Sequence, residues 1–94
     1  MHWEWDENKS RANRRKHGLS FETARLVFGD PAAVSFPDPS AEEERWRTVG
    51  MVGNAVVMVV HTEPDLRDGV EAGRIISARK ATRRERKNYE EEGF

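Results

Sequence analysis

Apolar positions along this 94-residue chain come in short clusters whose spacing switches between two and three or four, the mark of a domain mixing strands and helices. His2 to Trp5 alternates polar and aromatic residues, which predicts a short strand with Trp3 and Trp5 turned to one side. Asp6 then stands where it can cap a helix over Glu7 to His17, a run of good helix formers whose only apolar residue is Ala12. Such a helix faces solvent and adheres through aliphatic stems and neighbouring aromatics. Gly18 supplies a left-handed stop and Ser20 a second cap. Phe21, Ala24, Val27 and Phe28 follow at i, i+3, i+6 and i+7 of a second helix, which carries the core contact and ends at Gly29-Asp30-Pro31.

Beyond the proline the period drops to two. Ala33 to Phe36 is a candidate strand, followed by an exposed acidic connection through Pro37-Asp38-Pro39-Ser40 and Glu42-Glu43-Glu44. Glu44 to Val52 reads as a strand with Arg45 and Arg47 on one face and Trp46 and Thr48 on the other. Gly53-Asn54 makes a two-residue hairpin turn into Ala55 to Thr62, whose valine-rich run Ala55 to Val60 suits a strand buried on both faces at the centre of the sheet. Glu63 to Gly73, with its proline, glycines and acids, reads as a mobile loop, and Arg74 to Ala78 as the last strand. Thr82-Arg83-Arg84-Glu85 is a capping box opening a helix from Arg83 to about Glu92, where Glu90-Glu91-Glu92 opposes the macrodipole. The predicted fold is α+β: one domain over 1–94, with a small twisted, mainly antiparallel sheet, two N-terminal helices and one C-terminal helix.

Composition narrows this picture. At 36% hydrophobic and 35% charged, the chain suits a single modest core. It has no cysteine, which removes disulfides and thiolate metal sites and fits a reducing compartment. The start lacks the pattern of a secretory signal and no apolar run approaches membrane-spanning length, so the expectation is a soluble cytoplasmic protein with no membrane partner.

Charge distribution changes the picture more. Net charge is −1, yet twelve of the sixteen cationic side chains lie in Lys9 to His17 and Arg74 to Lys87, blocks that hold a single acid, Glu85. Brought together by folding, they would form a positive surface suited to a phosphate polyanion. No glycine-rich phosphate loop, paired His or Cys at metal spacing, or serine-hydrolase elbow is present, so neither a cofactor nor a metal is expected. What remains suits a metal-free ribonuclease, which needs a base for the ribose 2′-OH, cations around the phosphorane, and help for the departing 5′ oxygen.

Candidates come with plainer readings. His17 beside Lys16 could serve as base, since neighbouring cations favour the neutral imidazole, or it could simply close its helix. Arg74, Arg79 and Lys80 flank the last strand, where rigid backbone could aim them at phosphate, and Arg45 with Arg47 could form a forked anion site or pair with the acidic loops. His61 reads first as a packing residue, Glu85 as the cap partner of Thr82, Tyr89 as packing rather than base stacking, and the three tryptophans as core.

Glu4-Trp5-Asp6-Glu7-Asn8-Lys9, Asn13-Arg14-Arg15-Lys16-His17-Gly18 with Ser20-Phe21-Glu22, Val27-Phe28 with Asp30-Pro31, Glu44-Arg45-Trp46, and Arg74-Ile75-Ile76-Ser77-Ala78-Arg79-Lys80-Ala81-Thr82 carry a resemblance across nearly the whole chain. In this order and spacing they resemble the BrnT-type toxins of bacterial type II toxin-antitoxin modules, which have a RelE-like ribonuclease fold. The resemblance implies RNA cleavage that slows translation. It also implies neutralisation by a BrnA-like antitoxin laid across the basic surface, with operator DNA read only through the complex. Its chemistry carries over to Lys16, His17, Arg45, Arg74, Arg79 and Lys80. The acidic segment Glu63 to Asp68 would repel RNA unless it swung away. The rival readings are a non-catalytic nucleic-acid-binding or regulatory module, and a degenerate toxin surviving as an interaction partner. Every version rests on the two basic blocks converging on one face.

Overall fold

The valine-rich run forms the middle of the sheet. The computed structural model describes residues 1–39 and 44–92. Its strands are β1 (His2–Glu4), β2 (Val34–Pro37), β3 (Trp46–Val52), β4 (Ala55–His61), β5 (Asp65–Arg67) and β6 (Val70–Lys80). They lie in the order β1-β6-β4-β3-β2, with β5 also pairing β6. All pairs are antiparallel except β1 with β6. The helices are α1 (Glu7–His17), α2 (Phe21–Ala24) and α3 (Arg83–Glu92). The architecture is α+β, as the patterning predicts.

Local chemistry explains the boundaries. Asp6 Oδ1 accepts the Asn8 and Lys9 amides at the start of α1, and Gly18 ends it with φ 73°. Ser20 caps α2, but the expected second helix departs from α geometry after one turn: Arg25–Gly29 is a 3-10 helix. Residues three apart eclipse in that geometry, so Ala24 and Val27 stack on one line facing the sheet, both fully buried. Pro31 had already excluded a longer α-helix.

Residues 63–73, expected to be a mobile loop, are instead largely a hairpin. Leu66 pairs Glu71 and Arg67 pairs Val70 around Asp68-Gly69, whose φ values of 51° and 78° are both positive. Two positive φ values in a two-residue connection are what an Asp-Gly turn provides, and they match the twist of the strands. The last strand consequently starts at Val70 and runs past Ala78 to Lys80. Part of the acidic connection, residues 40–43, lies outside the described residues, and the strand expected from Glu44 begins at Trp46.

Two apolar clusters sandwich the sheet. One face packs Val57, Val59, Ile75 and Ala78 against Phe21, Ala24 and Val27. Burying Phe21 alone contributes about 1.5–3 kcal/mol. Trp3 stacks on Phe28 with ring centroids 3.8 Å apart. It lies so close over Gly73 that a Cβ there would sit 2.5 Å from Trp3 Cζ3. The other face packs Val49, Met58 and Val60 against Ala81 and Tyr89. Tyr89 is the only buried residue of α3, and its hydroxyl donates to Asp30 Oδ2 at 2.6 Å. Asp30 also accepts the Met51 and Ala32 amides; these bonds, Met51's foremost, hold its carboxyl below the ordinary range, and the bond to Asp30 raises the Tyr89 phenol.

Helix α1 runs beside β6 where β1 has ended. The Asn13 amide donates to Ala78 O at 2.8 Å and to Leu19 O at 2.7 Å, and Asn13 Oδ1 accepts the Ala78 amide at 3.3 Å. One side chain thus takes the place of a missing strand and ties α1 to the sheet edge.

Candidate nucleic-acid interface

Because Asn13 faces the sheet edge, residues at helical spacing from it face the same way. Lys9, Ala12, Asn13, Lys16 and His17 line a pocket of about 240 Å3 with Ile76 and Ser77 of β6. Lys9 and Ile76 are shared with a second pocket of about 170 Å3, completed by Asp6, Arg45, Arg74 and Ile75. Sharing these two residues, the pockets adjoin as a cationic cleft between α1, β6 and the residue before β3. Lys9, Lys16, His17 and Arg74 make no ion pair among the described residues. Asp6, the carboxylate in the lining, is committed to the α1 amides.

A register shift shapes the floor. Val60 pairs Ser77, but the next residue, His61, pairs Ile75. Ile76 is therefore the extra residue of a β-bulge, a device that re-aims a side chain. It is half-buried, packed on the cluster beneath α3 and lining both pockets.

The second basic block divides. Arg74 joins the α1 cations, whereas Arg79 is held by Glu85, Nη1 to Oε1 at 2.7 Å and Nη2 to Oε2 at 3.1 Å, and Nη1 also donates to Lys80 O. Arg47 stands 3.2 Å from Asp38 and 4.0 Å from the same Glu85. Lys80 pairs Val57 on the opposite face and is exposed. Of the second block, then, only Arg74 meets the α1 cations, and Arg45, from outside both blocks, joins them; the expected convergence of the two whole blocks is not what the fold makes. Arg79 is tied up by a local carboxylate, because its strand alternation points it under α3. Arg83, Arg84, Arg86 and Lys87 are exposed on α3.

Glu85 performs the capping role expected of it. It accepts the Thr82 amide at 2.8 Å while its own amide donates to Thr82 Oγ1 at 3.2 Å. Burial pushes its carboxyl up, but the bonds from Arg79 and Thr82 outweigh burial and hold it below the usual value. A carboxylate so stabilised is a weak base.

His61 lies away from the cleft, 5% exposed, with its ring edge-on to Trp3 and Phe28. Its Nδ1 is 2.8 Å from Thr62 O, which only accepts, so Nδ1 carries the proton and Nε2 accepts from Thr48 Oγ1. Ser35 Oγ in turn donates to Thr48. Burial favours the neutral imidazole. Packing accounts for His61, as it does for Tyr89.

Two cleft residues escape sequence reasoning as site candidates. Lys9 was signalled by its i, i+7 relation to Lys16, which puts both on one stripe of α1. Ile76 carried no signal, since a bulge depends on the register of its partner strand.

Fold and site define a class: a small α+β domain with a cleft rich in cationic side chains at the edge of its sheet, suited to a phosphate-bearing ligand. A family model described as ribonuclease toxin, BrnT, of type II toxin-antitoxin system matches residues 5–85, and the chain belongs to that family. The family brings an RNA target and an antitoxin protein partner. No curated protein matches the sequence. Among the described residues no helix is long and apolar enough to cross a membrane.

Proposed function

We propose that the chain cleaves RNA without a metal, in the cleft between α1 and β6, and that this slows translation in the cytoplasm until a BrnA-like antitoxin intervenes. The observation that carries the reading is the cluster of Lys9, Lys16, His17 and Arg74, cationic or titratable groups with no carboxylate partner among the described residues, around one floor. In the reaction the ribose 2′ oxygen bonds to the adjacent phosphorus as its proton passes to His17 or Lys16. Arg74, with Arg45, holds the charge of the phosphorane. The bond from phosphorus to the 5′ oxygen then breaks, that oxygen takes a proton from water or from the group that received the first one, and the products are a 2′,3′-cyclic phosphate and a 5′-hydroxyl. Arg79 orients α3 through Glu85, and Lys80 serves at most as an outlying phosphate contact.

End-labelled RNA incubated with the purified chain and excess EDTA is the test. Products ending in cyclic phosphate are expected, with loss of cleavage in Lys16→Ala. Intact RNA, or cleavage only on adding a divalent metal, refutes the mechanism. The antitoxin is expected to lay an acidic or amphipathic segment over the cleft, so that co-purified complex neither cleaves nor binds RNA, and operator DNA is bound only by the complex.

A further inference from the structure

Ile76 is out of place as a mere core residue. It is the one apolar side chain common to both cationic pockets, and the bulge sets it among Lys9, Lys16, Arg45 and Arg74 rather than wholly beneath α3. A cleft that bound only phosphate would gain nothing from an apolar floor. A nucleotide presents both surfaces, charged phosphate oxygens at its edge and an apolar sugar and base face beside them. Resting on the reading of the cleft as an RNA site, we infer that Ile76 is the platform for the sugar and base next to the scissile phosphate, and that the substrate is therefore unpaired RNA.

In a duplex both faces of each base are covered by its neighbours, and a base reaches a side chain at a pocket floor only if it is unstacked first. Cations at the rim would then hold phosphate, and Ile76 would discriminate between a nucleotide and any other polyanion. Because an aliphatic platform offers no hydrogen bonds to base edges, this contact carries preference for the unpaired state and little preference among bases.

Binding is measured with 2′-O-methyl RNA, which lacks the attacking hydroxyl, as a single strand and as a duplex, and with inorganic polyphosphate. The wild type is expected to prefer single strand over duplex by about tenfold, and Ile76→Ala to lose about five- to tenfold on the single strand, the scale of losing one to two buried methylene contacts. Polyphosphate affinity should stay within about twofold, as expected for a contact that is not ionic. Ile76→Val, which keeps most of the platform and the packing, should fall between them, and thermal melts show that each variant is folded. Equal losses on single strand and polyphosphate, or no loss on either, overturn the platform while leaving the cationic cleft standing. Failure of the wild type to bind either probe overturns the RNA reading itself.

Discussion

Glu85 grips Arg79 by both carboxylate oxygens, at 2.7 and 3.1 Å, and closes the capping box of α3 with the same side chain. One carboxylate therefore fastens the last helix both to its own first turn and to the final strand. Glu85→Gln is expected to cost about 1–3 kcal/mol, the range for a half-buried charged hydrogen bond losing its charge. Since the folded carboxyl is held below its ordinary 4.5, its stabilisation is complete above that value and is lost as pH falls through the folded one. Acid unfolding followed by denaturant midpoints should be steep in the wild type and shallower in Glu85→Gln. Parallel curves would contradict it.

Asn13 replaces a strand along the edge of β6, satisfying Ala78 on both its amide and its carbonyl, and Leu19 on its carbonyl. Asn13→Ala should destabilise the domain by about 2–4 kcal/mol, because buried backbone groups lose partners at once. Asn13→Asp should be no better, since an ionised carboxylate cannot donate to two carbonyls. Chemical denaturation measures both, and an Asp variant near wild-type stability would show that water or another side chain fills the role.

Burial of His61 sets a second pH dependence. The folded imidazole is harder to protonate than one at the ordinary 6.5, so stability holds above that pH and declines as pH drops below it toward the folded value. Protonation would also require Thr48 to stop donating to Nε2 and turn toward Ser35. Stability curves measured from neutral to mildly acid pH should lose this decline in His61→Phe. If the slope persists in the variant, another group is responsible.

Arg74 and Lys80 bracket most of β6 yet have different surroundings: Arg74 faces Lys9 and Arg45, and Lys80 stands exposed on the far face. Under the proposed mechanism Arg74→Ala should slow RNA cleavage about a hundredfold at saturating substrate, comparable to losing one donor to a developing anion. Lys80→Ala should stay within about twofold, as a distant phosphate contact would. Single-turnover rates decide it, and equal effects would return Lys80 to the site.

Most of the architecture could be read directly from residue order. Caps at Asp6, Ser20 and Thr82, the Gly53-Asn54 turn and the valine run are local devices whose physics is complete within a few residues. The hairpin at Asp68-Gly69 was equally local, but the surrounding acids and proline obscured a turn signal that was present. The 3-10 turn after Ala24 depended on packing, because the i, i+3, i+6 spacing serves either helix until the sheet selects the tighter one.

Sequence alone determined where charge is concentrated, most of the helices and strands though not the β5–β6 hairpin, and the resemblance to a ribonuclease toxin family. Tertiary structure decided which cations share a cleft. Strand alternation sent Arg79 beneath α3 to Glu85 and Lys80 to the opposite face, the Asn13 bridge laid the Lys9 and Lys16 stripe of α1 along β6 with Lys9 beside Arg74, and a one-residue shift against β4 placed Ile76 in both pockets. The reason is that a side chain's direction on a strand follows from register with a distant partner. Register is settled only when the sheet assembles.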